Sequence, residues 1–576
     1  MDKPLDIEQI LEPELLARRI SEKYQNFSNL RDTWIEEKKE LCRYVFATDT
    51  TTTSNSRNPW ANTTTTPKLT QIYDNLKANY SASLFPQRRW HRWEADDRDS
   101  AQLEKKNIIQ AYMDNKLRQG NFEKEADRLV DDYILYGNCF GSVEFSAEYN
   151  EVEGEFIPGY IGPKVVRISP YDIVFDPTAS SFENSPKMIR TLTSLGAIKK
   201  LVEGGDQSLA GVFDRIVGNR SHIGGSGVDP EKSSAYVADG FSSIEHYYGS
   251  DYVELITFYG DIYSTEDEEL QLNRKITIVD RAYVISNEPI ASWLGSSPIF
   301  HAGWRSRPDN LYAMGPLDNL VGMQYRIDHL ENLKADVFDQ IALPILRIRG
   351  DVEDFDYGPG ARIYMGEEGD VSPMAPDTTA LNADLQIQLL ESKMEEMAGA
   401  PRQAMGIRTP GEKTAFEVQS LENAAGRIFQ HKTAKLEREF MEPMLNAMLE
   451  SARRNMQDSD LIRVFDDETG ATLFKSITKE DITAKGKIVP VGARHFAERA
   501  RRVQNITSLI QLKADPTIGV HLSGKEIARL LSEELGEESL FGDNISVQEQ
   551  METQQASLDA EADLQEGMEV AAEQGL

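Results

Sequence analysis

A glycine-rich stretch, GIRTPGEKT, comes within one residue of the P-loop pattern G-x-x-x-x-G-K-[ST], which binds nucleotide phosphates. Gly406 and Gly411 have the required spacing, and Lys413 and Thr414 follow, but Glu412 is inserted between the second glycine and the lysine. The insertion shifts the register of the lysine and places a negative charge where a phosphate would lie. This departure argues against a phosphate site.

The residues before this stretch also argue against nucleotide binding, because a P-loop follows a buried β-strand. Between Leu381 and Gly399, apolar residues recur at spacings of three to five with good helix formers between them, which predicts a helix. The flanks therefore favour a glycine-proline turn between two helices. A P-loop-like nucleotide-binding enzyme stays open as an alternative.

No other motif in the sequence indicates catalysis. The sequence contains no carboxylate pair, Ser/His/Asp set or Cys/His set at a suggestive spacing, and no HExxH motif. We therefore expect no catalytic residues, no metal site and no cofactor, and we expect that the protein is not an enzyme.

The composition indicates a large, acidic, globular protein. The chain has 576 residues, enough for several domains, and a formal net charge of −33. The segment from Glu533 to Glu573 is acidic, and no Lys or Arg follows Arg529. A DNA-binding protein ordinarily carries a basic surface, so this protein either ignores nucleic acid or handles it without gripping it. We expect no transmembrane helix and no signal peptide, and two cysteines fit a reducing compartment.

The first 300 residues predict a mixed α+β body. Helices are expected over residues 1–47, from Leu69 to Phe85 and over residues 101–137, and Thr48–Pro67 reads as a surface loop. From Asn138 to about Ile299 the pattern predicts β-strands, interrupted by a loop-like region from Glu203 to Gly240.

QRRWHRWEA, residues 87–95, allows two interpretations. Arginines interleaved with tryptophans can bind single-stranded nucleic acid by stacking and charge neutralisation. The acidic residues that follow favour the alternative, a strand with one face buried and one face exposed.

The second half of the chain predicts long helices around a short β-excursion. A helix from Pro316 to Ile341 should have Pro316 at its first position and Asp318 in its first turn. ALPILRIRG and GARIYMG should form two short strands, followed by the helix from Leu381 to Gly399. The helix from Pro316 has a narrow apolar seam that suits packing against other long helices, formed by Leu317, Leu320, Ile327, Leu330, Val337 and Ile341.

A very long helix follows the glycine-rich stretch. It begins with the capping box of Thr414 and Glu417, runs for some 40 residues, and should be kinked near Glu439 by Pro443. A helix of roughly 60 Å is too long for one compact core, so it should run between domains or across an assembly.

Four stretches in this order resemble the portal proteins of tailed bacteriophages, the head-to-tail connectors, most closely the podovirus type. The resemblance extends over roughly residues 25–510, with a departure at residues 311–314, where a Gly-Glu-x-Tyr-Gly-Arg type of run is common in the family. The stretches are ANYSASLFPQRRWHRWE, VVRISPYDIVFDPTA, FHAGWRSRPDNLYAMGPLDNLVGMQYRIDHLENL and RTPGEKTAFEVQSLENAAGRIFQ.

The resemblance implies an α+β subunit with an α/β wing, a long-helix stem, a small β clip and a helical crown, which closes into a ring of usually twelve copies. The implied segments are the wing (1–310), the first stem helix (311–340), the clip (341–377), the second stem helix (378–398), the tunnel loop (399–413), the long wing helix (414–456), the wing return strands (457–492), the crown (493–545) and an acidic C-terminal tail (546–576).

The resemblance also implies a function and its sites. The ring would sit at a capsid vertex of the virion, pass genomic double-stranded DNA during packaging and ejection, and assemble in the host cytoplasm without contact to a membrane. Its partners would be further copies of the chain, the terminase large subunit, a head-tail adaptor protein, and the major capsid and scaffolding proteins. The implied tunnel-loop residues are Arg402, Gly406, Arg408, Gly411, Glu412 and Lys413, and the implied clip contacts to terminase and adaptor are Arg347, Arg349, Asp351, Glu353, Asp354 and Asp356.

The sequence leaves a second structural class open beside the enzyme alternative. A tail-tube or internal capsid component would share the acidic, long-helical composition, but it would form no closed ring with a duplex-wide hole.

Overall fold

The structure of the chain is a computed structural model that combines helices and strands, as the α+β prediction requires. It describes residues 5–6, 13–46, 62–85, 90–96, 103–152, 155–203, 210–222, 237, 243–264, 269–356, 362–398, 428–456, 459–465 and 472–491. These residues fall into two compact units, Met1–Ala82 with Gly120–Ala452, and Ser83–Gln119 with Arg453–Leu576.

The helices of the described residues occur singly and in consecutive groups between the strands. They are α1 (Pro13–Val45), α2 (Lys68–Leu84), α3 (Leu103–Gln119), α4 (Phe122–Leu135), α5 (Leu195–Glu203), α6 (Ala210–His222), α7 (Ile244–Gly249), α8 (Val321–Ala342), α9 (Asp384–Met397) and α10 (from residue 428 to Asn455). Short 3₁₀ turns, Asp318–Leu320 and Thr378–Ala383, precede α8 and α9.

The strands form small antiparallel sheets, apart from one parallel pair. They are β1 (Leu5–Asp6), β2 (His91–Ala95), β3 (Asn138–Val152), β4 (Glu155–Ile168), β5 (Ile173–Phe175), β6 (Lys187–Ser194), β7 (Tyr252–Ser264), β8 (Glu269–Val279), β9 (Tyr283–Pro289), β10 (Ile299–Gly303), β11 (Arg305–Arg307), β12 (Asn310–Met314), β13 (Ile345–Arg349), β14 (Asp370–Met374), β15 (Ser459–Phe465), β16 (Thr472–Thr478) and β17 (Gly486–Pro490).

The larger unit is built around a six-stranded sheet and the helix α1. The strands run in the order β5-β6-β7-β8-β9, and β1 pairs in parallel with β7. Leu16, Ile20 and Tyr24 recur every four residues along α1, so their side chains share one face and pack on buried residues of this sheet such as Phe258. The three-stranded sheet β10-β3-β4 lies in the same unit, and an aromatic cluster around Phe140 buries one of its faces.

The region from Glu203 to Gly240 is only partly what the sequence predicts. The prediction of a loop is wrong for Ala210–His222, which form α6. Ile216 is buried there, and Phe213 packs beside it against Val253 of the sheet. The many glycines and serines of the wider region hide this short amphipathic segment.

The β-excursion pairs differently from the prediction. ILRIR forms β13 as expected, but GARIYMG is not its partner. The partner is β14, Asp370–Met374, with Leu346 opposite Pro373. From the GARIYMG stretch, Met365 makes a single bridge to Val352. Because the sheet has two strands, Pro373 can lie in an edge strand, where its missing N–H is tolerated.

The last long helix has the irregularity that Pro443 predicts. Residues 428–436 are α-helical, Glu437–Met441 form a π-helical turn, and Glu442–Asn455 are α-helical again. Pro443 has no N–H to donate to the carbonyl four residues earlier, and the N–H of Glu442 instead donates to the carbonyl of Glu437, five residues back. The π-helical turn includes Glu439, the position near which the sequence predicts a kink, while residues 414–427 lie outside the described part of the chain.

The smaller unit shows how the Trp-bearing stretch is used. β2 pairs with β17, and Trp90 and Trp93 are buried there, while Arg92 between them is exposed. The guanidinium of Arg453 lies 5.6 Å from the centre of the Trp93 ring. The strand interpretation is confirmed, and two buried tryptophans offer no surface on which bases could stack.

Candidate functional site

The feature with most functional potential is the pair of helices α8 and α9 with the hairpin β13–β14 between them. The 22 residues of α8 span about 33 Å. The N–H of Leu69 donates to Gln324 near the start of α8, while Lys68 pairs with Glu395 near the end of α9. These contacts place the first turns of α8 beside the last turns of α9, so the two helices run antiparallel.

The entrance to α8 differs from the sequence prediction. Pro316 does not open the α-helix, because a 3₁₀ turn at Asp318–Leu320 comes first. The carboxylate of Asp318 accepts the N–H of Gly315 at 2.8 Å and pairs with the buried ammonium of Lys38 on α1. Asp318 therefore fixes the start of the helix to α1, in addition to any interaction with the helix dipole.

A close backbone contact precedes this entrance. Gly137 has a φ of +67°, and a Cβ atom there would lie 2.3 Å from the nitrogen of Gly315. Asn138 donates from Nδ2 to the carbonyl of Ala313 and accepts the N–H of Ala313. Glycine is required at position 137 by both the conformation and the space, which gives the Gly315-Pro316 pair a structural role.

The predicted apolar seam divides into a buried and an accessible part within one copy of the chain. Leu317, Leu320, Ile327 and Leu330 are buried, whereas Val337 is half-buried and Ile341 is 45% exposed. The start of the seam is therefore buried in the core of its own chain, and its far end is accessible.

A row of polar side chains on α8, which we call the polar ladder, binds an extended segment that we call the strap, residues 62–67. The strap lies in the stretch that the sequence predicts to be a surface loop. The N–H groups of Asn62, Thr64 and Thr66 donate to side-chain oxygens at 2.7, 2.8 and 3.0 Å. The acceptors are, in the same order, Asp336, Asn332 and Asp328. One turn earlier on α8, the side-chain amide of Gln324 donates to the carbonyl of Thr66 and accepts the N–H of Leu69.

The spacing of the two elements explains this match. Two residues of extended chain advance about 6.6 Å, and one turn of four helical residues advances about 6.0 Å. Alternate N–H groups of the strap therefore meet successive turns of α8. The polar residues at every fourth position from Gln324 to Asp336 are the sequence signal for this site, and they share α8 with a more prominent apolar seam.

Asp328 is the ladder residue whose charged form is disfavoured by burial. It is fully buried, and its Oδ2 has no hydrogen-bond partner among the described residues. Burial raises the pKa of Asp328 to about 6, and the hydrogen bonds from Thr66 and Gln324 to its other oxygen oppose that rise.

The strap is joined to α9 by a buried ion pair. Lys68, the residue after the strap, places its Nζ 2.6 Å from Glu395, and both side chains are buried. Since the strap itself binds α8, this short segment holds both helices. On the outer side, Lys334 of α8 pairs with Asp384 at the start of α9.

The surface of the two helices and the hairpin is unusually apolar. More than half of the exposed large hydrophobic side chains among the described residues lie between positions 325 and 397. Leu385 is 80% exposed, although the sequence places it on the apolar side of its helix. The others are Tyr325, Leu333, Phe338, Ile341, Leu343, Ile345, Ile348, Ile363, Tyr364, Met365, Met374, Leu389 and Met397.

The residues assigned to the clip lie on β13 and in the segment that connects β13 to β14. Arg347 and Arg349 are on β13 and are exposed. Gly350 follows with a φ of +75°, where a Cβ would lie 2.2 Å from the carbonyl oxygen of Glu368, so the turn needs glycine. The acidic residues after the turn are all exposed, namely Asp351, Glu353, Asp354 and Asp356.

The predicted tunnel-loop residues lie outside the described part of the chain, which does not include residues 399–427. These are Arg402, Gly406, Arg408, Gly411, Glu412 and Lys413. The element before them is the helix α9, as predicted, and not the buried strand that precedes a P-loop.

The described residues contain neither a cluster of metal ligands nor a membrane-spanning helix. In that part of the chain, no group of three or more His, Cys, Asp or Glu side chains could hold a metal ion. None of its helices combines the length and the apolar character that crossing a bilayer requires.

One comparison with known proteins finds a family model that matches part of the chain. Residues 17–152 match the family model of the bacteriophage head to tail connecting protein. This segment begins in α1, includes the strap and the Trp-bearing strand β2, and ends with β3. The chain has no significant match among curated proteins. Within residues 17–152, this match confirms the resemblance to head-to-tail connectors that the sequence indicates.

Proposed function

We propose that the chain is a phage portal protein, which assembles into a closed ring of twelve copies at a capsid vertex and forms the channel for genomic double-stranded DNA. The family match supports the connector role. In this role α8 and α9 are the stem that lines the channel, and the hairpin β13–β14 is the clip. Residues 399–413 would form the tunnel loop that faces the DNA.

The observation that carries this proposal is the exposed apolar surface of α8, α9 and the hairpin. Among the described residues, fourteen exposed large hydrophobic side chains lie between positions 325 and 397. Monomeric proteins rarely expose large apolar patches, because burying them against a partner releases water at a gain in free energy. The patch is carried by two antiparallel helices, whose sides are suited to packing against the same helices of the next copy. A repeated contact of this kind closes into a ring when its rotation permits.

The geometry of such a ring fits DNA passage. Twelve helices about 10 Å across, placed side by side, would leave a clear bore of roughly 28 Å, which is wider than a DNA duplex. The net charge of −33 per copy would repel phosphates, so DNA could slide through the channel and would not be held.

The proposed partners follow from the two ends of the stem. We assign the hairpin, with its exposed Arg347, Arg349 and acidic turn, to the docking of the terminase large subunit and later of the head-tail adaptor. The capsid and scaffolding proteins would contact the remaining body. The ring would assemble in the host cytoplasm and remain in the virion.

The proposal is tested by electron microscopy of the purified chain together with one surface variant. We expect closed rings with a central hole of duplex width for the wild type. Leu385→Glu combined with Leu389→Glu should give folded monomers, because both side chains are exposed in one copy and a charge would be buried only in the assembly.

A matched control separates assembly from general charge effects. Leu30→Glu places the same charge at a leucine of α1 that is 62% exposed, and it should leave the rings intact. A wild-type monomer or an open filament would contradict the portal assignment. Rings that persist in the double variant would show that α9 does not form the interface.

A further inference from the structure

A basic surface lies where the strand β11 meets the helix α10. Arg305 and Arg307 are exposed on β11, and Lys432, Lys435 and Arg438 follow one another at three-residue spacing on α10. In a chain with a net charge of −33, these two elements carry five cationic side chains, and the acidic residues nearest to them in sequence are Asp309, Glu437 and Glu439.

The cations are held in place by contacts that leave much of their charge free. The indole of Trp304 is buried, and its N–H donates to the hydroxyl of Tyr80 at 3.0 Å. Lys432 lies 4.4 Å and Arg305 lies 4.9 Å from the centre of the Trp304 ring. Lys435 donates to the carbonyl of Gly303 at 2.7 Å. Carbonyl oxygens and a ring fix these groups without neutralising them.

Carboxylates compensate only part of this charge. Glu439 lies 3.6 Å from Lys435 and 3.2 Å from Arg438. Within the described part of the chain, no carboxylate lies within 4.0 Å of Arg305 or Arg307 in the structure. Burial lowers the pKa of Lys432 to about 8, and the positive charges of Lys435 and Arg305 lower it further.

We propose that this basic surface binds the phosphate backbone of duplex DNA. The inference rests on the proposed function insofar as DNA must reach the protein. Guanidinium groups match phosphate oxygens in geometry, and two arginines two residues apart on a strand lie within about 7 Å of each other, so they can contact successive groups of a polyanion.

The form of the surface favours a duplex over a single strand and predicts weak binding. Single-strand sites combine cations with exposed aromatic rings on which bases stack, but Trp304 is 3% exposed. Contact to phosphates alone carries no sequence preference. A few cations in an acidic chain should bind weakly and with strong dependence on salt, which is compatible with DNA that moves.

The test measures binding of a fluorescent DNA duplex by anisotropy over a series of salt concentrations. Arg305→Glu combined with Arg307→Glu should weaken binding at least about tenfold, and the slope of log affinity against log salt should fall in magnitude by about 1.8, or 0.9 for each lost phosphate contact. Arg305→Lys combined with Arg307→Lys should keep most of the slope because the charges remain.

The matched control is Arg18→Glu combined with Arg19→Glu, which makes the same charge change on exposed arginines of α1. It should bind DNA as the wild type does. Equal loss in both double variants would overturn the inference, since only overall charge would then matter. Melting temperatures of all variants exclude unfolding as the cause of a loss.

Competitors identify the ligand chemistry. Inorganic phosphate should compete weakly and an unlabelled duplex strongly. Polyglutamate that competes as well as the duplex would point to an acidic protein partner and would overturn the DNA assignment. The two proposals also fail separately: rings without arginine-dependent DNA binding would remove only the basic surface, and arginine-dependent binding by a chain that forms no ring would remove only the portal assignment.

Discussion

At the scale of single residues, buried polar groups define this protein more than reactive groups do. Lys38 with Asp318, Lys68 with Glu395, and Arg281 with Glu254 are ion pairs with largely buried side chains. Removing one partner of such a pair destabilises the folded state by more than the intact pair stabilises it, because one buried charge is left without a partner. These pairs therefore fix where α1, α2 and α9 attach, and they add little net stability.

Asp328 makes stability depend on pH in a predictable direction. Its pKa is raised to about 6 in the folded chain, so the folded state binds a proton more readily than the unfolded state between about pH 4 and pH 6. The penalty for the charged form is complete above pH 6 and is relieved as pH falls through that value. We expect the free energy of unfolding of Asp328→Asn to exceed that of the wild type by about 2 kcal/mol at pH 7.5. At pH 4.5 the two should differ little.

Melting temperatures of the wild type and Asp328→Asn between pH 4.5 and pH 7.5 check this prediction. Asp336→Asn is the control, because this ladder carboxylate is only half-buried and keeps the same kind of strap contact. If the difference between the wild type and Asp328→Asn stayed constant across the range, Asp328 would not carry the pH dependence.

At the scale of elements, the strap shows how an extended segment can be bound by a helix. In a β-sheet, the N–H groups of an extended segment donate to carbonyl oxygens of a neighbouring strand. In the polar ladder, the N–H groups of the strap donate to side-chain oxygens of α8. Since only alternate N–H groups face the helix, the positions between them are free of this requirement. The strap is thus sensitive to backbone changes at every second residue.

Proline substitutions test this alternation. Thr64→Pro removes the N–H that donates to Asn332 and leaves a buried acceptor without its partner, which should cost about 1–3 kcal/mol. Thr63→Pro changes an exposed neighbour that is not a donor in the ladder, and it should cost well under about 1 kcal/mol. Thermal unfolding compares the two, and equal losses would contradict the register described for the strap.

At the scale of the whole molecule, two forces of opposite sign control association. The apolar surface of α8, α9 and the hairpin favours contact between copies, while a charge of −33 on each copy opposes it. Salt screens the repulsion over about 8 Å at physiological ionic strength but leaves apolar contact largely unaffected. The two terms can therefore be separated by ionic strength.

We expect raising monovalent salt from roughly 20 to 300 mM to shift the chain toward the assembled state. Analytical ultracentrifugation at fixed protein concentration measures this shift. DNA binding at the basic surface should weaken over the same range, so the two responses run in opposite directions. Dissociation of the assembly by salt would mean that ion pairs between copies, and not apolar contact, hold it together.

The sequence by itself determined the features that depend on near neighbours in the chain. The four-residue spacing of Leu16, Ile20 and Tyr24 defines the buried face of α1, and Pro443 causes the π-helical turn before it through its missing N–H. The alternation in β2 buries Trp93 and exposes Arg92 in the same local way. Periodicity and backbone chemistry act over a few residues, so they can be read without the fold.

Only the tertiary structure decided the features that join distant segments. The strap and α8 are more than 250 residues apart, and no local pattern says that Thr64 will meet Asn332. The pairing of β13 with Asp370–Met374 likewise replaced a more β-like stretch nearer in sequence. The basic surface combines residues 305–307 with residues 432–438, which only folding brings together. In each case the partner is selected by burial and by hydrogen bonds that exist only once the chain has folded.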